Sequence, residues 1–117
     1  MSAARALGPY TPAVRAGELL FVSGQVGARD GTLVSGDTVD QLEQAFANLE
    51  GVLADNGAEL TDVVKMTVFL RHMSDFGRMN ERYMALLGDH RPARTTIAVA
   101  ELPLNALVEI EATAWKP

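Results

Sequence analysis

The run from Val63 to Leu70 is the feature that most constrains the fold, because it alternates as a β-strand does and carries apolar side chains on both faces. One face holds Val64, Met66, Val68 and Leu70, and the other holds Val63, Lys65, Thr67 and Phe69. A strand with two apolar faces needs a cover on each side. The rest of the chain, or a second copy of it, must supply both covers.

Two segments carry the spacing of amphipathic helices, with apolar residues every three or four positions. The first stripe is formed by Val39, Leu42, Phe46, Leu49 and Leu53. Thr38 and Gln41 predict a capping box at its start, and Asn56-Gly57 predicts its end. The second helix is expected to begin after Ser74 or Asp75 and to end at Gly88; its stripe is Phe76, Met79, Tyr83, Leu86 and Leu87.

Four more strands are predicted from apolar runs bounded by turn residues. Residues 13–15 and 19–23 flank a Gly-containing hairpin, and residues 95–100 and 107–115 close the chain. This order of elements predicts an α+β fold, one mixed sheet with two helices on one face. Because two helices leave the other apolar face uncovered, we expect a homo-oligomer.

Length and charge narrow the class of protein. With 117 residues and 48% hydrophobic composition, the chain fits one domain, residues 1–117. A formal charge of -5 with scattered basic residues argues against nucleic acids and anionic membrane surfaces as partners. There is no cysteine, no apolar signal core in residues 1–7, and no run approaching the roughly 20 apolar residues that span a bilayer. We therefore expect a soluble, cytoplasmic protein.

Several classes of catalytic site lack their motifs. The chain contains no P-loop, no G-x-G-x-x-G and no G-x-S-x-G, so nucleotide binding and serine hydrolysis find no support. His72 and His90 lie 18 residues apart, without the spacing that places two metal ligands on one helix face. We predict no metal site and no cofactor.

Arg94 and Glu109 are the candidate catalytic pair. Arg94 follows Pro92-Ala93 at the entrance to a strand, and a guanidinium can bind a carboxylate through two parallel hydrogen bonds. Glu109 lies inside the last strand, where its surroundings can tune its pKa for proton transfer. On neighbouring strands, the pair could hold a small carboxylate substrate and handle its protons. The alternatives are a structural salt bridge for the pair and a solvated face for Glu109 and Glu111.

Three other positions could line a cleft. Tyr10 follows Gly8-Pro9 in a loop, where its ring can lie across a site or simply pack. Ser23-Gly24 is expected to end a strand, and a glycine there lets a ligand approach the backbone. The alternative is an ordinary strand end that contacts no ligand. Asn80 interrupts an apolar helix stripe, which indicates either a substrate contact or an amide that fixes a loop.

Taken together, these segments resemble the RidA/YjgF family over nearly the whole chain. The resemblance rests on their joint order and spacing: Gly8-Pro9-Tyr10, Phe21-Val22-Ser23-Gly24-Gln25, the Val63 to Leu70 strand, Asp75-Phe76 with Asn80, Pro92-Ala93-Arg94, and Leu102-Pro103 through Val108-Glu109-Ile110-Glu111. It implies a chorismate-mutase-like fold, with a mixed sheet of about six strands and two helices on one face, and a homotrimer with ligand clefts at the subunit interfaces. The implied activity is hydrolysis of reactive enamines and imines, such as 2-aminoacrylate, to 2-keto acids and ammonia.

The resemblance also implies residue roles. Arg94 matches the family's carboxylate-binding arginine, and Glu109 matches the acid that positions or activates water. Tyr10, Ser23, Gly24 and Asn80 match residues that line the cleft. Thr96 stands where a cysteine is common in the archetypal subgroup, and its hydroxyl can still orient water. Three alternatives stay open: a non-catalytic module that binds 2-keto acids, an endoribonuclease or translation inhibitor, and a deaminase of larger enamines.

Overall fold

The computed structural model describes residues 6–117, so residues 1–5, which entered the expectation that the chain carries no secretion signal, lie outside the described part. The chain forms seven strands and two α-helices in these residues. The helices are α1 (Thr38–Asp55) and α2 (Phe76–Leu87). The strands are β1 (Ala13–Ala16), β2 (Leu19–Val26), β3 (Ala28–Arg29), β4 (Thr32–Leu33), β5 (Val63–Leu70), β6 (Ala93–Ala98) and β7 (Val108–Trp115).

Five of the strands form one mixed sheet in the order β1-β2-β7-β5-β6. Only β5 and β6 run parallel; the other pairs are antiparallel. A turn at Asp30-Gly31 joins β3 to β4, which form a separate two-stranded ribbon. The α+β class and the two helices are therefore confirmed, and the strands divide into a sheet of five and a ribbon of two.

The start of α1 differs from the predicted capping box by one residue. Asp37, not Thr38, is the N-cap: its Oδ1 accepts the Val39 N–H at 3.0 Å. Asp40 completes the box by accepting the Asp37 N–H at 2.9 Å. The Thr38 hydroxyl instead donates to Asp75 Oδ2 at 2.6 Å, at the start of α2. The helix ends as predicted, at the Asn56 cap, followed by Gly57 with a φ of 75°.

A close contact seats α1 on the sheet. Gly27 is buried between β2 and β3, and a Cβ on it would lie 2.4 Å from the Gln41 carbonyl oxygen and 2.6 Å from the Gln41 Cα. The Gln41 side chain is buried as well, and its Oε1 accepts the Leu107 N–H at 2.8 Å, just before β7. The helix backbone can approach the sheet this closely only because residue 27 has no side chain.

The β5 strand keeps the predicted alternation except at its first two residues. A bulge opposite β7 separates Val63 from Lys65, so Val63 is fully buried with Met66, Val68 and Leu70. Val64, which strict alternation assigned to that buried set, is 46% exposed instead. The bulge adds one residue to β5, and this reverses the faces of its first two side chains.

The two faces of the five-stranded sheet have different surroundings. Under the helices lies a core of fully buried side chains, including Leu42, Phe46, Leu49, Met66 and Ile110. On the opposite face, hereafter the open face, Val14, Phe21, Ile97 and Trp115 remain 41% to 56% exposed. Within the described residues, no helix is long and apolar enough to cross a membrane.

The first prediction concerns Gly27. The Gly27→Ala variant should lose about 1 to 3 kcal/mol of unfolding free energy, because the new methyl group meets the rigid backbone of α1. The matched control is Gly77→Ala in α2, where an added Cβ meets nothing within 4 Å. The control should hold or gain up to about 1 kcal/mol. Urea denaturation of both variants measures the difference; equal stabilities would show that α1 moves away without cost.

Candidate active site

A cavity of about 780 Å³ opens beside the end of β2, and Tyr10, Gly24 and Glu109 are among its lining residues. The N-terminal loop forms one wall and the turn between β3 and β4 forms another. Tyr10 is held in the loop by two hydrogen bonds, one from its N–H to the Gly8 carbonyl at 2.8 Å and one from the Leu7 N–H to its hydroxyl at 3.1 Å. Three residues proposed from the sequence therefore meet at one cavity.

The expectation that Ser23-Gly24 ends a strand is wrong, because β2 continues to Val26 and bulges at these residues. The bulge brings Gly24 against Glu109. Between Val22 and Gln25, β2 carries one residue more than the facing stretch of β7, and this extra residue falls at Ser23-Gly24. A Cβ on Gly24 would lie 2.6 Å from Glu109 Oε2. The missing side chain leaves the space that the Glu109 carboxyl group occupies, so Gly24 acts on the position of this acid.

Ser23 holds the N-terminal loop in place. Its hydroxyl donates to the Thr11 carbonyl at 2.7 Å, and its backbone N–H donates to the Pro12 carbonyl at 2.9 Å. The side chain is thus engaged with the segment that carries Tyr10, and Ser23 is not among the residues that line the cavity. Its position supports the wall of the cavity.

The environment of Glu109 suits proton transfer. The side chain is half-buried, and within residues 6–117 it has no recorded hydrogen bond or ion pair. Burial raises the pKa of the Glu109 carboxyl above its ordinary value of 4.5, and the nearby Glu111 carboxylate raises it further. A raised pKa brings a carboxyl group closer to the pH at which it can both take up and release a proton.

Arg94 lies in a second cluster, between β6 and α2. Its guanidinium carbon is 4.8 Å from the centre of the Tyr83 ring and 5.6 Å from that of Phe76. Arg94 makes no ion pair with any residue of the described chain. A half-buried cation that rests on aromatic rings without an acidic partner is arranged to receive an anion.

Three buried polar atoms on α2 and β6, the elements that carry Arg94 and its aromatic contacts, also lack partners in residues 6–117. They are Asn80 Oδ1, Tyr83 OH and Thr96 Oγ1. Phe76, Asn80 and Tyr83 follow one another on the stripe of α2 that Arg94 contacts, and Thr96 shares a face of β6 with Arg94. Buried polar groups are nearly always hydrogen-bonded, so this cluster indicates a ligand or water as the missing partner.

The structure does not bring Arg94 and Glu109 together within one chain. The expectation that they lie on neighbouring strands is wrong, because β5 runs between β6 and β7. Arg94 pairs with Met66, which is buried under the helices, whereas Glu109 pairs with Phe69 on the open face. A small molecule bound at Arg94 therefore has the sheet between itself and the Glu109 of the same chain.

Sequence reasoning also missed Tyr83, which it treated as one member of an apolar stripe. The available signal was its spacing, three residues after Asn80 and seven after Phe76, which places its hydroxyl on the same face as the candidate amide. As for metals, the described residues contain no group of three His, Asp or Glu side chains that could hold an ion.

Comparison with known proteins finds a family and relatives that match nearly the whole chain. The sequence matches the family described as Endoribonuclease L-PSP over residues 1–116. It is 43% identical over 111 residues to the 2-iminobutanoate/2-iminopropanoate deaminase of Mus musculus, a match that covers 93% of this chain and 82% of the mouse protein.

Two solved structures share the fold along nearly its full length. A Thermotoga maritima protein is 47% identical with a TM-score of 0.93, and the match covers 99% of this chain and 93% of that one. Escherichia coli TdcF with bound serine is 33% identical with a TM-score of 0.91, and the match covers 98% and 94% of the two chains. The similarity thus includes every element that carries a candidate site residue.

The second prediction follows from the raised pKa of Glu109. Because the folded state holds this proton more tightly than the unfolded chain, its ionisation destabilises the fold as pH rises through the folded-state pKa. The Glu109→Gln variant, which cannot ionise, should be more stable than wild type at about pH 8, and the difference should vanish below about pH 4. Thermal unfolding of the isolated chain across this range, at a concentration where light scattering gives the mass of one chain, measures it.

Glu111→Gln is the matched control, because Glu111 is exposed and acts on Glu109 only through its charge. This variant should show a smaller gain at the same pH. A Glu109→Gln protein that is less stable than wild type at about pH 8 would contradict the prediction, since it would mean that the ionised carboxylate makes a stabilising contact.

Proposed function

The chain belongs to the Endoribonuclease L-PSP family, that of the RidA and YjgF proteins, and we propose that it is an imine deaminase. Its substrates are reactive 2-imino and enamine acids such as 2-aminoacrylate, and its products are 2-keto acids and ammonia. The observation that carries the proposal is the unpartnered Arg94 on its aromatic rings, in a chain 43% identical to a 2-iminobutanoate/2-iminopropanoate deaminase.

Arg94 is the residue that selects the substrate. Its guanidinium offers two parallel N–H donors to the substrate carboxylate, a geometry that fixes orientation as well as charge. The guanidinium lies over the Tyr83 and Phe76 rings, which accept none of its hydrogen bonds as an acid would, so its donors are left for a ligand. The unpartnered Asn80 amide and Thr96 hydroxyl lie beside it and complete a polar pocket for a small acid or a bound water.

Glu109 handles the protons of the reaction. The substrate reacts as its iminium form, C=NH2⁺: Glu109 as a base takes a proton from water while the oxygen attacks the iminium carbon, which gives a neutral carbinolamine and a protonated Glu109. The protonated Glu109 then gives its proton to the amino nitrogen. As the C–N bond breaks and ammonia leaves, the Glu109 carboxylate takes the hydroxyl proton, the C=O bond of the 2-keto acid forms, and the ammonia carries this proton away as ammonium. The C=N carbon is already electrophilic, so the reaction needs no cofactor.

The two halves of the site meet when a second copy covers the open face. We propose a homotrimer in which Arg94 of one chain and Glu109 of its neighbour line one cleft, together with Tyr10 and Gly24. The exposed apolar side chains of the open face, Phe21, Ile97 and Trp115 among them, support such an interface. The opposite-face positions of Arg94 and Glu109 support it independently.

A second candidate function is non-catalytic binding of small carboxylates for regulation. It is favoured by Escherichia coli TdcF, a relative whose structure holds serine, a small molecule with a carboxylate. Calorimetry that detects 2-ketobutyrate binding, with no ammonia released from any imine, would select this function.

The charge of -5 continues to oppose RNA as a partner. We place the single domain, residues 1–117, in the cytoplasm.

The third prediction tests Arg94. The Arg94→Ala variant should lose about 10²-fold or more in kcat/KM against 2-iminobutyrate, because two charge-assisted hydrogen bonds disappear. Arg94→Lys should recover only part of this loss, since an ammonium lacks the planar fork. Ammonia release from imines generated in situ by an amino-acid oxidase measures both variants, and a panel of imines also measures the pocket size.

Arg82→Ala is the matched control. It also removes one positive charge, but at Arg82 of α2, which forms an exposed ion pair with Glu43. It should retain wild-type activity. Unchanged deamination in Arg94→Ala, with the fold intact by circular dichroism, would refute the role of Arg94.

The fourth prediction tests the shared site. Light scattering should give about three times the 12.6 kDa mass of the chain. Arg94→Ala and Glu109→Gln trimers should each be inactive, yet subunit exchange at equal amounts should restore activity to about a quarter of wild type, because some interfaces regain both residues. Activity that stays absent after exchange, shown by mass-tagged subunits to have occurred, would place both residues of a site in one chain.

A further inference from the structure

Tyr83 connects the hydrophobic core to Arg94. Its side chain is only 4% exposed, and its ring meets the fully buried Phe46 edge to face, with centres 5.8 Å apart and planes at 84°. The guanidinium of Arg94 lies 4.8 Å from the centre of the same ring. Tyr83 is therefore fixed on the core side by Phe46, and it offers Arg94 an aromatic surface whose position is set by the fold.

This contact replaces the carboxylate that usually orients a half-buried arginine. Within residues 6–117, the Arg94 side chain makes no ion pair and no hydrogen bond. The Tyr83 and Phe76 rings are therefore the contacts that hold its guanidinium in this part of the chain. Of the two rings, Phe76 is 39% exposed and lies farther from the guanidinium, at 5.6 Å. Tyr83 is the nearer and the more rigidly held.

We propose that Tyr83 is a positioning residue for Arg94. Its ring holds the guanidinium flat against the ring face, so that both N–H donors of the guanidinium fork face the substrate carboxylate. An acidic partner would hold the guanidinium equally well but would occupy the donors that the substrate needs. A ring attracts the cation through its face and leaves the N–H groups free. The proposal rests on the proposed function only through the carboxylate-binding role of Arg94.

The ring and not the hydroxyl performs this task. The hydroxyl is buried and has no hydrogen-bond partner in the described chain. Burial raises the pKa of the Tyr83 hydroxyl above its usual value, although Arg94 and Arg91 offset part of that rise. The group therefore stays neutral, and it adds no anionic charge that could hold Arg94. Phenylalanine at this position should position Arg94 as well as tyrosine does.

The test compares Tyr83→Leu, which removes the ring, with Tyr83→Phe, which removes only the hydroxyl. Tyr83→Leu should weaken 2-ketobutyrate binding and raise KM for 2-iminobutyrate by about 5- to 30-fold, with kcat within about twofold of wild type. Tyr83→Phe, which keeps the ring, should change both quantities by clearly less than Tyr83→Leu does, since only a contact of the hydroxyl is lost. If Tyr83→Leu does not fold, Tyr83→Met removes the ring while it fills more of the space.

Met79→Ala separates positioning from a general loss of packing. Met79 is fully buried one turn before Tyr83 on α2, so its truncation lowers the melting temperature without removing the ring. The affinity and KM of this variant should stay close to wild type. Equal KM increases in Met79→Ala and Tyr83→Leu would overturn the proposal, as would a Tyr83→Phe variant impaired as strongly as Tyr83→Leu.

A measurement without substrate distinguishes a failure of this proposal from a failure of the proposed function. Nuclear magnetic relaxation of the Arg94 Nε–H group in the ligand-free protein should report an ordered side chain in wild type and Tyr83→Phe, and a mobile one in Tyr83→Leu. Equal order in all three proteins would overturn the positioning role even if deamination is observed. If Arg94 is ordered in wild type and Tyr83→Phe and mobile in Tyr83→Leu, but no ammonia is released, the positioning role stands and the deaminase function is refuted.

Discussion

The packing of α1 and α2 onto one face of the five-stranded sheet is the constraint on which the other features depend. The close approach of α1 at Gly27, together with the hydrogen bond from Leu107 to Gln41, ties the helix layer to β2 and β7. Burial under this layer divides β2, β5 and β7 into a core side and an open side, and β6 continues the same two faces. That division sends Arg94 toward the aromatic rings of α2 and Glu109 toward the opposite surface.

Much of the fold could be predicted from local patterns. The stripe from Val39 to Leu53 predicted α1, and the alternation in residues 63–70 predicted β5, because core burial imposes a period that the sequence displays. Residue types predicted part of the site for the same local reason. A glycine in an otherwise apolar strand and a polar residue in an apolar helix stripe are unusual within their own elements.

The remaining features depend on contacts that no local pattern encodes. The order of strands places β5 between Arg94 and Glu109, and only the paired sheet reveals this. The bulge at Val64 reverses one alternation because β7 offers one residue fewer there. Asp37 takes the cap of α1 because Thr38 is engaged with Asp75 of another element. Tyr83 resembles any core tyrosine until its contact with Arg94 is known.

The opposite-face positions of Arg94 and Glu109 have a consequence for how abundance controls activity. Under the proposed function, a chain that folds alone carries two complementary half-sites, each incomplete, so correct folding would not by itself produce a working enzyme. In the proposed trimer, the fraction of chains able to react would rise steeply with concentration near the dissociation constant and level off above it. Dilution would abolish the activity without unfolding the chain. The expression level would therefore set the activity per mole of protein as well as the total activity.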